Sequence, residues 1–99
     1  MIKNITASEL QQLINNNEAF VIDVREAEEF SEGFIDKSEH APLGMIADYQ
    51  LPKTNKKIII YCRGGVRSLK ACQILQSKYP SENFYNLSRG IISWNDLQS

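Results

Sequence analysis

Two cysteines, Cys62 and Cys72, are the strongest nucleophiles of this 99-residue chain, and His40 is its only histidine. Cys62 opens the run Cys62-Arg63-Gly64-Gly65-Val66-Arg67-Ser68. Between a strand and a helix, such a glycine-containing turn points successive backbone N–H groups inward at the helix N-terminus and builds an anion cradle. A thiolate at its base is stabilised by those donors, by the helix dipole and by Arg63 and Arg67, so its pKa is expected to fall from about 8.5. The thiol then becomes a nucleophile without a general base. His40 is remote in sequence, and a Cys–His pair requires the fold to bring the two together.

The cysteine spacing carries a second message. Ten positions separate Cys62 from Cys72, which fits neither a zinc-finger nor a Cys-x-x-Cys redox pattern, and a lone disulfide is unusual in a cytosolic domain. Cys72 falls on the apolar stripe of the helix after the loop, where a free cysteine acts as a small core residue; a resolving or redox role is the alternative. No metal and no cofactor are expected.

Charge is unevenly spread around the nucleophile. Residues 1–48 hold ten acids, among them Glu26, Glu28, Glu29 and Glu32, against three bases, whereas residues 49–81 hold seven bases and no acid. Cys62 lies inside the basic block, which concentrates anions if those groups share a face and is a plain solvated surface if they do not. The net charge of -1 and the absence of exposed aromatics among the bases argue against nucleic acid as a partner.

The elements that must hold this loop read as alternating helices and strands. Thr6-Ala7-Ser8-Glu9 is a capping box and opens a helix over about 7–16, with Leu10, Leu13 and Ile14 on one face. The apolar run at 19–24 reads as a central parallel strand, followed by a short acidic helix over 26–32 with Gly33 as its stop. A short strand at 39–43 and a weak helix at 44–50 follow. Lys57-Ile58-Ile59-Ile60-Tyr61 is the strongest strand signal, ending just before Cys62. A helix over 68–79, stopped by Pro80, a strand at 83–87 and a helix at 90–97 complete the chain, and Trp94 is expected in the core.

The alternation argues for an α/β fold, a parallel sheet with helices on both faces, in which ligands bind beyond the carboxyl ends of the strands. A chain of this size buries about two-thirds of its surface and makes one domain, residues 1–99. Its 42% apolar and 23% charged residues are those of a folded globule. The longest apolar stretch, Ile58 to Cys62, is far short of the ~20 residues that span a bilayer, and the first residues lack a secretory signal, so the expectation is a cytoplasmic protein with no membrane partner.

Along nearly its whole length the sequence resembles the single-domain form of the rhodanese, or sulfurtransferase, family. The resemblance runs through Ile5-Thr6 with Glu9-Leu10, Ile22-Asp23-Val24-Arg25-Glu26 with Glu29-Phe30 and Gly33, Pro42-Leu43, the Tyr61-to-Ser68 loop, and Asn86-Leu87 leading to Gly90-Ile91 and Trp94. It implies a five-stranded parallel sheet, with Cys62 accepting a sulfane sulfur as a persulfide from thiosulfate or a related persulfide donor. Sulfur then passes to cyanide or to a thiol, free or on a protein. Loop residues Arg63, Gly64, Gly65, Val66, Arg67 and Ser68 would bind the donor, with Arg63 and Arg67 orienting it; a structural ion pair closing the loop is the other role open to Arg67. Asp23 and Arg25, at the end of the neighbouring strand, either face the same mouth or make a structural pair. His40 falls at a variable position of the pattern.

Two departures stand out. Where the family usually reads Gly-His-Ile-Pro-Gly-Ala, this chain has Gly33-Phe34-Ile35-Asp36-Lys37-Ser38, and Arg89 replaces the first of two common glycines. Two other functions share the loop chemistry. A sulfur carrier charged by a partner protein would keep Cys62, and a cysteine phosphatase of the same fold would need an arginine after five intervening residues to grip a phosphoryl group. Here Arg67 comes after four, and Ser68 holds the later position.

Overall fold

The computed structural model describes residues 1–99. In chain order it runs β1 (Ile2–Ile5), α1 (Ala7–Asn15), β2 (Ala19–Asp23), α2 (Ala27–Ser31), β3 (Glu39–His40), a 3-10 helix (Leu43–Asp48), β4 (Lys57–Tyr61), α3 (Val66–Lys78), β5 (Phe84–Leu87) and α4 (Gly90–Gln98). The strands form one five-stranded, wholly parallel sheet in the order β1-β5-β4-β2-β3.

Side-chain alternation along the central strands sorts the core into two layers. Ile22, Ile58, Ile60 and Phe84 pack with Ala71, Cys72 and Leu75 of α3 and with Ile46 of the 3-10 helix. Val21, Ile59, Tyr61 and Leu87 point the other way, onto Ala7 and Leu10 of α1 and Ile91 of α4. Helices therefore cover both faces, as a parallel sheet demands. Trp94 is half-buried at the rim of the second layer rather than enclosed, and Leu69 of α3 is 40% exposed.

Capping sets the first helix: Glu9 N–H donates to Thr6 Oγ1 at 3.1 Å, and the Thr6 N–H donates to Glu9 Oε1 at 3.0 Å. Four elements differ from the sequence expectation. Strand β1 has no counterpart there, because Ile2-Lys3-Asn4-Ile5 carries two exposed polar residues and becomes a strand only by pairing along the edge of β5. Strand β3 stops at His40, since Pro42 has no N–H to continue the ladder. The weak helix is a 3-10 segment, and α3 begins at Val66, so Val66, Arg67 and Ser68 form its first turn.

The sheet order reverses direction between β2 and β4: the chain leaves β2 toward β3 on one side and leaves β4 toward β5 on the other. Ligand crevices in open α/β sheets form at such a switch point, outside the carboxyl ends of the strands. Those ends are Asp23-Val24-Arg25 and Tyr61-Cys62.

Candidate active site

Cys62 follows β4 directly, and its sulfur lies at the bottom of a loop closed by the first turn of α3. Gly65 N–H donates to Cys62 Sγ at 3.1 Å, Ser68 N–H approaches it at 3.4 Å, and Ser68 Oγ is 3.3 Å away. Gly65 makes the turn possible with φ +107, a region that disfavours side chains. Burial pushes the Cys62 thiol up, but the Ser68 hydroxyl and the N–H groups of Ser68, Gly65 and Gly64 outweigh it, so the pKa falls below the ordinary thiol value.

A polar network lies behind the sulfur. Ser68 Oγ donates to Asn86 Oδ1 on β5, and Asn86 Nδ2 donates to the Gly65 carbonyl at 3.2 Å. Both side chains are buried, and both are satisfied. The loop's outer rim is held by the last helix: Ile91 N–H donates to the Cys62 carbonyl at 2.9 Å and Ile92 N–H to the Arg63 carbonyl at 3.3 Å. Gly90, at φ +54, fits against this rim because it lacks a side chain; a Cβ there would overlap both carbonyl oxygens.

The arginines separate into different roles. Arg67 turns away from the sulfur into a two-pronged pair with Glu29 on α2, Nη1 to Oε1 at 2.7 Å and Nη2 to Oε2 at 3.0 Å. The Arg67 guanidinium holds the Glu29 carboxyl at about 2, well below the usual carboxylate range. Arg25 is buried and clasps both oxygens of Asp23, Nε donating to Oδ1 at 3.1 Å and Nη2 to Oδ2 at 2.8 Å, while Nη2 also donates to the Gly33 carbonyl at 2.7 Å. Asp23 and Arg25 thus fasten the α2 exit to the end of β2. Arg63 makes no ion pair and lines an open cleft of about 490 Å³ with Arg25, Glu29, Gly33, Phe34 and Ile91. The Val66 side chain points outward and is 82% exposed.

These residues, in this order on this sheet, match the family model described as a Rhodanese-like domain over residues 6–97. The chain belongs to the rhodanese-like family. A sulfurtransferase of Allochromatium vinosum is 32% identical over 98 residues, covering 95% of this chain and 89% of its own. The solved rhodanese-related protein from Thermoplasma volcanium superposes with a TM-score of 0.84 at 28% identity, over 96% of this chain and 92% of that one. A tRNA uridine(34) hydroxylase of Erwinia tasmaniensis is 31% identical over 91% of this chain, which spans only 27% of that longer protein. The rhodanese-like domain thus occurs both alone and inside larger enzymes.

Within the rhodanese-like frame, the two departures have structural answers. Lys37 takes the left-handed conformation of the missing turn glycine, φ 66, and Arg89 does the same at φ 59. Phe34, in place of histidine, stacks on Phe30 with centroids 4.2 Å apart, and Phe30 stacks in turn on His40 at 4.5 Å. His40 Nε2 donates to the Arg25 carbonyl at 2.8 Å and makes no hydrogen bond to Cys62. Cys72 lies enclosed in the α3 layer as a free thiol that burial pushes up to about 12. Asn86, Glu29 and Gly90 escaped the sequence reading as site residues. The signals they offered were local ones only: an asparagine inside an apolar strand run, an acid within the short acidic helix, and a glycine opening a helix.

Proposed function

We propose that this rhodanese-like protein is a sulfurtransferase that moves a sulfane sulfur from thiosulfate or a related persulfide donor to cyanide or a thiol, through a persulfide on Cys62. The observation that carries this reading is the Cys62 sulfur held by Gly65 and Ser68 N–H groups with no histidine beside it. Those donors supply the thiolate that a base would otherwise have to generate. The thiolate attacks the outer sulfur of the donor; the new S–S bond forms as the donor's S–S bond breaks, and its electron pair leaves on sulfite or on a thiolate. The acceptor then attacks the outer sulfur, and Cys62 departs as the thiolate that began the cycle. Arg63, unpaired at the cleft, is the cation free to steer the anionic donor. A phosphatase reading lacks its central group, because the Arg67 fork is already filled by Glu29.

Intact mass of the reduced protein after thiosulfate tests this, alongside Cys62→Ser and Cys72→Ser. The expected gain is one sulfur atom, absent in Cys62→Ser, retained in Cys72→Ser, and removed by cyanide with release of thiocyanate. No gain on the wild type would overturn direct loading and leave a carrier charged by a partner protein.

A further inference from the structure

The buried pair behind the nucleophile has one hydrogen to share between two acceptors. Ser68 Oγ is 3.3 Å from Cys62 Sγ and donates its single hydrogen to Asn86 Oδ1. The Asn86 amide cannot turn to offer its nitrogen instead, because Nδ2 is held at 3.2 Å by the Gly65 carbonyl, a pure acceptor. Oδ1 must therefore face Ser68. In this arrangement Ser68 presents a lone pair to the sulfur, which suits a thiol donating S–H and opposes a thiolate.

We propose that Ser68 and Asn86 form a two-position hydrogen-bond switch: the Ser68 hydrogen points to Asn86 Oδ1 when Cys62 is a thiol, and to Sγ when it is a thiolate. Asn86 is then a positioning residue that acts on the nucleophile through Ser68. When the hydrogen swings to sulfur, Asn86 Oδ1 is left unbonded in a buried site, which offsets part of the stabilisation of the thiolate. The thiolate is kept more basic, and so more nucleophilic, than the loop N–H groups and a free hydroxyl would leave it. Resting on the proposed persulfide, the switch also extends to the loaded state. Once Sγ is bonded to a second sulfur the negative charge lies on the outer atom, and the Ser68 hydrogen returns to Asn86. No covalent bond changes in the switch itself; a hydroxyl rotates.

The titration to be read is that of Cys62 alone. On α3 its charged or titratable neighbours are Arg67, fixed by Glu29, and Cys72, which stays a thiol through neutral pH. Arg63 is the adjacent loop residue, Asp23 and Arg25 of the β2 end are paired to each other, and Arg89 ahead of α4 pairs loosely with Asp96 at 3.6 Å. From β5 the facing group is the uncharged Asn86.

Two measurements test the switch. In the wild-type protein, the side-chain 13Cγ and NH2 resonances of Asn86 are followed between pH 5 and 9; they are expected to move with the same midpoint as Cys62 alkylation by iodoacetamide. After thiosulfate loading they are expected to return toward their low-pH positions. Asn86→Leu, which frees the Ser68 hydrogen for sulfur, is expected to lower the alkylation midpoint by about half to one pH unit, and the shift should vanish in an Asn86→Leu, Ser68→Ala double variant. A merely structural Asn86 would loosen Gly65 and raise the midpoint, with or without Ser68. Asn86 resonances that stay still through the Cys62 midpoint, or a raised midpoint in Asn86→Leu, would overturn the switch. If thiosulfate fails to load the protein, the sulfur-transfer reading falls, while the pH arm still decides the switch.

Discussion

Cys62 and Cys72 are both almost wholly enclosed and both free, yet their thiols are driven in opposite directions. Around Cys72 the walls are apolar, and burial, with a lesser contribution from the charge of Cys62, pushes its pKa to about 12. Around Cys62 the same burial is overcome by N–H groups at the start of α3 and by the Ser68 hydroxyl. Depth in the fold therefore does not decide thiol reactivity; the presence of donors aimed at the sulfur does. The first helix turn after β4 is the difference between a reactive group and packing material.

The largest effect that could break this contrast is chemical selectivity. At pH 7 iodoacetamide is expected to modify Cys62 at least about 100-fold faster than Cys72. Peptide mapping after brief exposure checks this, and comparable modification of both in the folded protein would contradict it. Because the Cys62 pKa is depressed, its alkylation rate should rise with pH and level off below the ordinary thiol value of about 8.5. Cys72 should remain silent across that range.

A smaller effect comes from the loop's rim. Gly90→Ala forces a methyl group into the Cys62 and Arg63 carbonyls from a strained backbone conformation, and is expected to cost about 2–4 kcal/mol. Chemical denaturation measures the loss, and a raised Cys62 alkylation midpoint alongside it would show that the donors have moved off the sulfur. A change within 0.5 kcal/mol, roughly that of an ordinary surface substitution, would mean that the rim is soft.

The smallest sits at the outer clasp. Glu29→Gln removes the carboxylate that holds Arg67, both partners being partly solvated, and should cost about 1 kcal/mol near neutrality after screening. The sign with pH follows from the depressed Glu29 value. The pair's contribution is present above the unfolded carboxylate pKa of about 4.5 and is lost as pH falls toward about 2. The wild-type stability advantage over Glu29→Gln should therefore shrink through that window, as paired denaturation curves would record.

The seven-residue loop, the strands at 19–23 and 57–61 and the α3 stripe were legible because each rests on local signals: glycines, β-branched runs, helical spacing. Strand β1 was not, since its identity comes from β5 at the far end of the sequence. The partners of the loop share that difficulty. Asn86, Glu29 and Gly90 reach Cys62 or its arginine only through the sheet order, and no spacing rule along the chain announces such a meeting. Arg67 illustrates the cost: its sequence position places it beside the sulfur, but which anion it grips was fixed by an acid on another helix. Lys37 and Arg89 teach the converse, that a turn can persist after its glycine is lost because surrounding contacts dictate the backbone.

The hydrogen bonds from Ile91 and Ile92 to the Cys62 and Arg63 carbonyls join the start of the nucleophile's loop to a helix far along the chain. Any local opening that lifts α4 from the sheet therefore removes the loop's outer wall, so the order of the loop is tied to the docking of a helix that gives the sulfur no hydrogen bond of its own.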